Sequence, residues 1–324
     1  MNRLSFYAEY IIRCHKELGK LSKRINTPRL YLWYDFIKCS IVHGAILNHY
    51  TRGGLHSLKG CERKKSLTYG RILKVYKKCN DAASIPILNN KHLFNAYFAP
   101  FVTRQWLYSK DMTFEQFEGL CDKCEQLIVK PEDGVEGVGI KKIRTPKLLS
   151  ERKTLFQEMK GSSYMIEEII EQHPEMVFNN TSVNTVRAHS MIDRNGEVHI
   201  LKMLLRAGVG ESVVDNYAHG GCVYDLNTTT GHIISPSLMK TGEEVYIHPG
   251  TDIFMLGRKV PNWDKVVNGV VAAHKLLPQC RFIGWDVAVT QTGIELIEGN
   301  HNPDYELYEF FGTKGWYDII KKYI

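Results

Sequence analysis

Three short segments carry residue types that could act on a charged substrate. In residues 285–300, WDVAVTQTGIELIEGN, Asp286 lies on one alternating apolar run, and Glu298 and Asn300 lie on the next. Glu298 and Asn300 are two apart, so they share a strand face, and a turn at Thr292-Gly293 brings Asp286 opposite them. Such hard oxygen donors suit one or two magnesium ions that keep waters and bind phosphates. Without a cation, two acids and an amide in an apolar hairpin would carry the penalty of buried charge. In residues 128–140, IVKPEDGVEGVGI, Lys130 ends a strand and precedes Gly134, Gly137 and Gly139. Glycines let backbone N–H groups approach an anion, and a lysine beside them makes a clamp over nucleotide phosphates. It is not a Walker A loop, since the lysine precedes the glycines, and a purely structural hairpin remains the alternative. In residues 164–175, YMIEEIIEQHPE, a strand presents Glu167 and Glu168, with Glu175 beyond it. Buried, these acceptors could take an adenine amino group and a ribose hydroxyl; otherwise one is exposed and one ion-paired.

The elements that must position these residues can be read from periodicity. Apolar residues at helical spacing predict an amphipathic helix over 4–21. The stretch 30–47 is apolar on most faces, which predicts a helix buried against other protein, and a third helix is expected over 67–79. No glycine-rich βαβ turn occurs there, so residues 1–85 read as a basic helical region. Beyond Pro86 come helices near 91–101 and from 113, the strand ending at Lys130 with its hairpin, and the strand 164–170. A second hairpin follows, VNTVRAHSMI and EVHILKMLLRAG, turning at Asp193-Arg194-Asn195-Gly196. A helix over 263–277, the metal-type hairpin and a closing helix from about Thr313 complete the chain.

Composition sets the outer limits. At 324 residues, 44% apolar and 24% charged, the chain is globular, with no apolar run long enough to span a bilayer. The amino terminus lacks the pattern of a secretion signal, so the cytoplasm is the expected compartment. The eight cysteines show no framework spacing, and no disulfide is expected. Cys121 and Cys124 form a CxxC inside a helical pattern, without a second pair at zinc-site spacing. The formal charge of +7 is concentrated in the first eighty residues. Those helices could meet an anionic membrane or an acidic glycan, or simply present a solvated face. Nucleic acid is not among the expected partners.

Taken in order, the three segments resemble the ATP-grasp superfamily. Its fold, two α+β lobes enclosing ATP, is what the resemblance implies here: an α+β chain with a helical region over 1–85, a first lobe over 86–170 and a second, metal-bearing lobe over 171–324. The acidic residue followed by E-x-N on the next strand matches Asp286, Glu298 and Asn300, with Glu298 as the bridging ligand. Lys91, in NNKHLFNAYF, resembles the lysine that opens the first lobe, and Lys130 the strand lysine that reaches the α- and β-phosphates; both would hold ATP. By the same comparison Glu168 would face adenine, Ile170 or its neighbour would pair with it through the backbone, and Glu175 would take the ribose. VNTVRAHS, LLRAGVGESVVDNYAHGG and IGWDVAVTQTGIELIEGNHNPD are most similar to the sugar-transfer-associated group, over roughly 86–309. Arg187 and Arg206 fall in these motifs. Arg187 is assigned to the γ-phosphate and an acyl phosphate, and Arg206 to the same charge or a substrate carboxylate, with a structural salt bridge as the alternative for each. Asp215, Asn216, Gly220 and Gly221 form a loop that could touch substrate, and His219 and His301 could carry protons or be structural. The resemblance implies ATP and Mg2+ as cofactors and a ligase that joins a small carboxylate to an amine or amino sugar in glycan pathways. A kinase on the same fold and a nucleotide- or glycan-binding module are the alternatives. Family dimers make a homodimer an expectation.

Overall fold

Helix signals in the first eighty residues are interrupted by a proline and a glycine, and the chain folds accordingly. The computed structural model describes residues 3–132, 134, 138–178, 182–210, 221–238, 244–308 and 315–324. Helix α1 (Arg3–Ile25) ends before Pro28, which stands just ahead of α2 (Arg29–His43). Gly44, at φ 66, then stops α2, its N–H bonding back to Ser40. A Cβ there would lie 2.7 Å from the backbone of Gly70, so this crossing requires glycine. Helices α3 (Leu47–Thr51), α4 (Gly60–Lys65) and α5 (Tyr69–Cys79) follow. Leu18 and Leu21 of α1 pack against Leu32, Phe36 and Cys39 of α2 and against Tyr50. Asp35, buried in this cluster, takes two hydrogen bonds from Arg63 at 2.7 Å each and one from the Tyr50 hydroxyl at 2.8 Å. The expectation of one helix over 30–47, buried on most faces, is corrected in two respects. The segment breaks at Gly44, and the face of α2 opposite its core side lies open to solvent.

The chain divides into two units, residues 80–303 and, separately, residues 1–79 together with 304–324. The larger unit begins with α6 (Ile85–Asn89) and α7 (Lys91–Tyr97). Strands β1 (Trp106–Tyr108), β2 (Gln126–Pro131), β3 (Lys141–Arg144) and β4 (Tyr164–Glu168) form an antiparallel sheet in the order β1-β4-β2-β3. Helices α8 (Phe114–Lys123) and α9 (Leu149–Met159) belong with it. A capping box starts α8, with Thr113 and Gln116 bonding each other's backbone N–H. Leu127, Val129 and Ile166 join Phe117, Leu120 and Phe156 in one apolar cluster, which also absorbs Cys121 and Cys124. The two-residue period of the strands therefore puts Lys130 and Glu167 on the opposite face.

The second sheet has the order β11-β10-β5-β6-β7 and is also antiparallel. It comprises β5 (Thr185–Ile192), β6 (Val198–Ala207), β7 (Cys222–Leu226), β10 (Phe282–Val289) and β11 (Ile294–Asn300); β8 (Ser237–Leu238) and β9 (Glu244–Val245), which fall between β7 and β10 in the chain, form a separate antiparallel pair. Helix α10 (Trp263–Leu276) covers one face through Val266, Val270 and Ala273, packed with Val186, Met203 and Trp285. The last helix, α11 (Trp316–Lys321), belongs to the smaller unit with α1 to α5.

His274 pins α10 to the second sheet. Its Nε2 lies 2.8 Å from the Cys280 carbonyl, which can only accept, so Nδ1 accepts from the Ser190 hydroxyl at 2.7 Å. Ser190 Oγ in turn accepts from Trp285 Nε1 at 2.8 Å. Burial holds His274 near pKa about 4, and His49 in the smaller unit likewise, both below the ordinary 6.5. Each binds a proton more weakly folded than unfolded, so stability is complete above pH 6.5 and is lost as pH falls toward 4. The loss is about 1.4 kcal/mol per pH unit per histidine. Scanning calorimetry should show the melting temperature falling across that window, and a flat profile would contradict the assignment.

Candidate functional site

On the face of the second sheet away from α10, strand register assembles charge. Asp286 stands directly opposite Glu298 on β11 and opposite Arg187 on β5, and Arg206 enters from β6, where it is paired with Thr185. Arg187 Nε lies 2.5 Å from Asp286 Oδ1, its Nη2 donates to Oδ2 at 3.1 Å, and Arg206 Nη1 donates to the same Oδ2 at 3.0 Å. The Nε–Oδ1 approach is close but off the N–H direction, so Oδ1 is buried without a hydrogen bond. Asn300 donates to Glu298 at 3.2 Å. Burial pushes the Asp286 carboxyl up to about 7, against the pull of both arginines and with help from the Glu298 charge. Burial would also raise Glu298, but its interaction with Asp286 and the Arg187 charge hold it down. The two carboxyls are thus coupled, Asp286 being shifted up and Glu298 down.

The first sheet turns a second charged cluster toward this one. Lys130 Nζ lies 2.7 Å from Glu167 Oε2, and Arg104 Nε donates to that oxygen at 2.9 Å. Asn95 of α7 donates to Oε1 at 3.1 Å, so both oxygens of Glu167 are engaged. Burial would raise Glu167, but Arg104 and Lys130 hold it at about 2. Burial pulls Lys130 down, opposed by Glu167, and the Glu298 carboxylate on the other sheet also acts on it. Arg104 itself spans the two sheets. Beyond Glu167 on β4, it donates to Glu295 on β11 at 3.0 Å and to the Leu296 carbonyl at 2.8 Å.

The remaining expected residues are placed as follows. Lys91, at the start of α7, donates to the Glu132 and Gly134 carbonyls at 2.8 Å each, so it holds the glycine-rich hairpin by its backbone. Gly139 has φ +80, and a Cβ there would come within 2.8 Å of Pro131, so the hairpin closes only with glycine. Glu168 points to the helix-bearing side of β4 and accepts from the Gln105 N–H at 3.0 Å. Ile170 follows β4, half-buried and outside the strand. Glu175 is exposed in a single 3-10 turn and borders an open cleft of about 440 Å³ with Lys259, Asn262 and Asp264. Gly221 is buried just before β7, and the His301 carbonyl accepts from Asn80 Nδ2 at 2.6 Å. Gly137, Asp215, Asn216, His219 and Gly220 lie outside the described residues.

Sequence reasoning missed Arg104, Asn95, Glu295 and a pairing of His92 with Glu132. The His92 ring stacks on Tyr108 at 4.3 Å and meets the Glu132 carboxylate at 2.7 Å. Arg104 sits alone between a helical turn and a three-residue strand, with no spacing to mark it. Only its position among apolar residues, in FVTRQW, hinted at a buried charge.

The donor set fits a hard divalent cation held with phosphates. Two carboxyls meet across one register pair, one oxygen is orphaned, and an amide is already turned onto Glu298. No cluster of three His, Cys, Asp or Glu occurs among the described residues, since the third donor here is the Asn300 amide.

A sequence profile of the family described as sugar-transfer associated ATP-grasp matches residues 71–322. Among solved structures, the chain is similar to the ATP-grasp ligase PsnB complexed with minimal precursor, Mg and ADP. The identity is 14% over 75% of this chain and 60% of that one, with TM-score 0.45. It is also similar to N5-carboxyaminoimidazole ribonucleotide synthetase from Thermotoga maritima, at 12% identity, 79% and 55% coverage and TM-score 0.45. D-alanyl-alanine synthetase A from Vibrio cholerae matches at 12% identity, with 74% and 66% coverage and TM-score 0.44. The chain thus spans less than two thirds of these solved proteins. No curated protein matches it.

Proposed function

We propose that this chain, which belongs to the sugar-transfer associated ATP-grasp family, uses Mg–ATP to activate a carboxylate and then joins it to an amine. The observation that carries the reading is the pair of facing clusters in one unit. Lys130 stands on one sheet, and Asp286, Glu298 and Asn300 with Arg187 and Arg206 stand on the other.

In this reading Lys130 and the backbone N–H groups of the glycine-rich hairpin bind the α- and β-phosphates. Glu167 and Arg104 hold the lysine in place, because Glu167 fixes its ammonium and Arg104 fixes Glu167. Asp286, Glu298 and Asn300 would hold Mg2+, which would supply charge neutralisation on the phosphates. Arg187 and Arg206 each carry five N–H donors, more than Asp286 can accept, so the same forks can hold a phosphoryl group as its charge develops. An oxygen of the substrate carboxylate attacks the γ-phosphorus and ADP leaves; the amine then attacks the acyl carbon and inorganic phosphate leaves. The amine loses one proton to give the amide. Family membership favours an amino sugar or a glycan-linked amine as acceptor, in cell-surface polysaccharide modification. The adenine and ribose roles of Ile170 and Glu175 belong to the same proposal, whereas Glu168, on the face of β4 away from Lys130, is turned from that cluster and bonds the Gln105 N–H instead.

The test is release of ADP and phosphate from Mg–ATP across paired panels of small acids and amines. Stoichiometric phosphate that requires both an acid and an amine supports the ligase. ADP without phosphate would show a kinase, and no turnover with any pair would show a binding module.

Lys130→Met gives a more specific expectation. Losing one charge-assisted contact, about 1.5–3 kcal/mol, should weaken Mg–ATP binding about tenfold to a hundredfold. Isothermal titration should show it, and unchanged affinity would remove Lys130 from the phosphate site.

A further inference from the structure

Helix α2 exposes a continuous apolar stripe on the side away from its own core. Leu30, Tyr34, Ile37 and Ile41 recur at intervals of four, three and four residues, which align on one helix face over about 16 Å. They are 84%, 64%, 49% and 79% exposed, whereas Leu32, Asp35, Phe36 and Cys39 on the opposite face are buried. Arg29 and Lys38 flank the stripe, and Tyr31 beside it is also exposed. Helix α1, packed against α2, adds exposed Phe6, Tyr7, Ile11 and Ile12, and carries Lys16, Lys20, Lys23 and Arg24 in its second half. Isolated exposed apolar residues need no explanation, but a ridge of this regularity does.

Charge selects the occupant. Residues 1–79 hold 17 of the 42 Lys and Arg but only 4 of the 35 Asp and Glu, a formal +13, and the rest of the chain is −6. A second copy docked through this face would bring two strongly cationic regions together, whereas an anionic surface is attracted to them. Exposed aliphatic side chains with tyrosines at the border and lysine or arginine beside them match what inserts at a lipid headgroup boundary. No helix among the described residues is long and apolar enough to cross a membrane, so contact would be along the surface.

We propose that the Leu30–Tyr34–Ile37–Ile41 face of α2 is a docking surface for an anionic phospholipid membrane, with the apolar stripe inserted and the neighbouring basic residues against the headgroups. The proposal does not depend on the reaction assigned above, and its failure would leave that reading untouched. It refines the expectation drawn from charge alone, because it names the apolar side chains as the inserting element.

The full chain should sediment with vesicles of phosphatidylglycerol and phosphatidylcholine and far less with phosphatidylcholine alone. Ile37→Gln and Ile41→Gln should each weaken the binding by about tenfold. Their far-ultraviolet dichroism, melting temperature and ATP turnover should be unchanged, since both side chains face solvent. Ile41→Gln, at the more exposed position, serves if Ile37→Gln disturbs the helix. A wild-type chain that stays in the supernatant with anionic vesicles would overturn the proposal. So would variants that bind as the wild type does, which would reduce the contact to charge alone. Light scattering that shows the variants converting a dimer to monomers, with vesicle binding intact, would instead assign the face to self-association and overturn it equally.

Discussion

Glu298→Gln should lower the turnover number by about a thousandfold without unfolding the protein. The substitution keeps the side chain's length and its contact with Asn300, and removes only the charge. In the folded protein that charge opposes ionisation of Asp286, whose carboxyl is pushed up to about 7. Without it, Asp286 ionises more readily beside Arg187 and Arg206, which offsets the lost attraction of Glu298 to those arginines, while one hard donor is lost. Steady-state kinetics and a thermal melt on the same preparation separate the two effects. A parallel fall in activity and melting temperature would mean that Glu298 serves the fold, and retained turnover would remove it from the site.

Arg104→Met should have the largest effect on stability. Arg104 is fully buried and is shared by Glu167 and Glu295, which are buried themselves, so its removal leaves two carboxylates short of their main counter-charge. Breaking a buried ion pair from one side costs about 3–5 kcal/mol. For a unit of this size that is a fall in melting temperature of about 10 °C. Lys130 still neutralises Glu167 in the variant, so Glu295 is the more exposed to the loss. Adding Glu295→Gln to the Arg104→Met background should therefore recover part of the stability. Simple additivity of the two substitutions in a double-mutant cycle would show that the pair is not coupled.

The metal-type hairpin was legible because its information is local. A two-residue period and one turn fix which side chains share a face, and β10 and β11 realise that register, with Asp286 opposite Glu298. The hairpins β2–β3 and β5–β6 were legible for the same reason. Arg104 was not, because the side chains it bonds, Asn95, Glu167 and Glu295, stand on three separate elements, α7, β4 and β11, and no spacing rule joins them. Glu167 and Glu168 looked equivalent in the sequence. Strand alternation sends Glu167 into the charged cluster and Glu168 to the other side, and only the identity of the apolar neighbours decides which is which. For α2, periodicity could not tell a helix buried all round from one with an apolar face left open, since both patterns are apolar on most sides. The grouping of residues 304–324 with the first 79 is a long-range fact that chain order conceals.

The central claim is that the γ-phosphoryl group of ATP passes to a carboxylate. The most direct test uses an acid that supports turnover, labelled with heavy oxygen in its carboxyl group, with mass analysis of the phosphate released. The account predicts that one labelled oxygen per turnover appears in the phosphate, because the attacking oxygen stays on phosphorus when the amine displaces it. Unlabelled phosphate would mean that the carboxylate never carried the phosphoryl group, and would contradict the account.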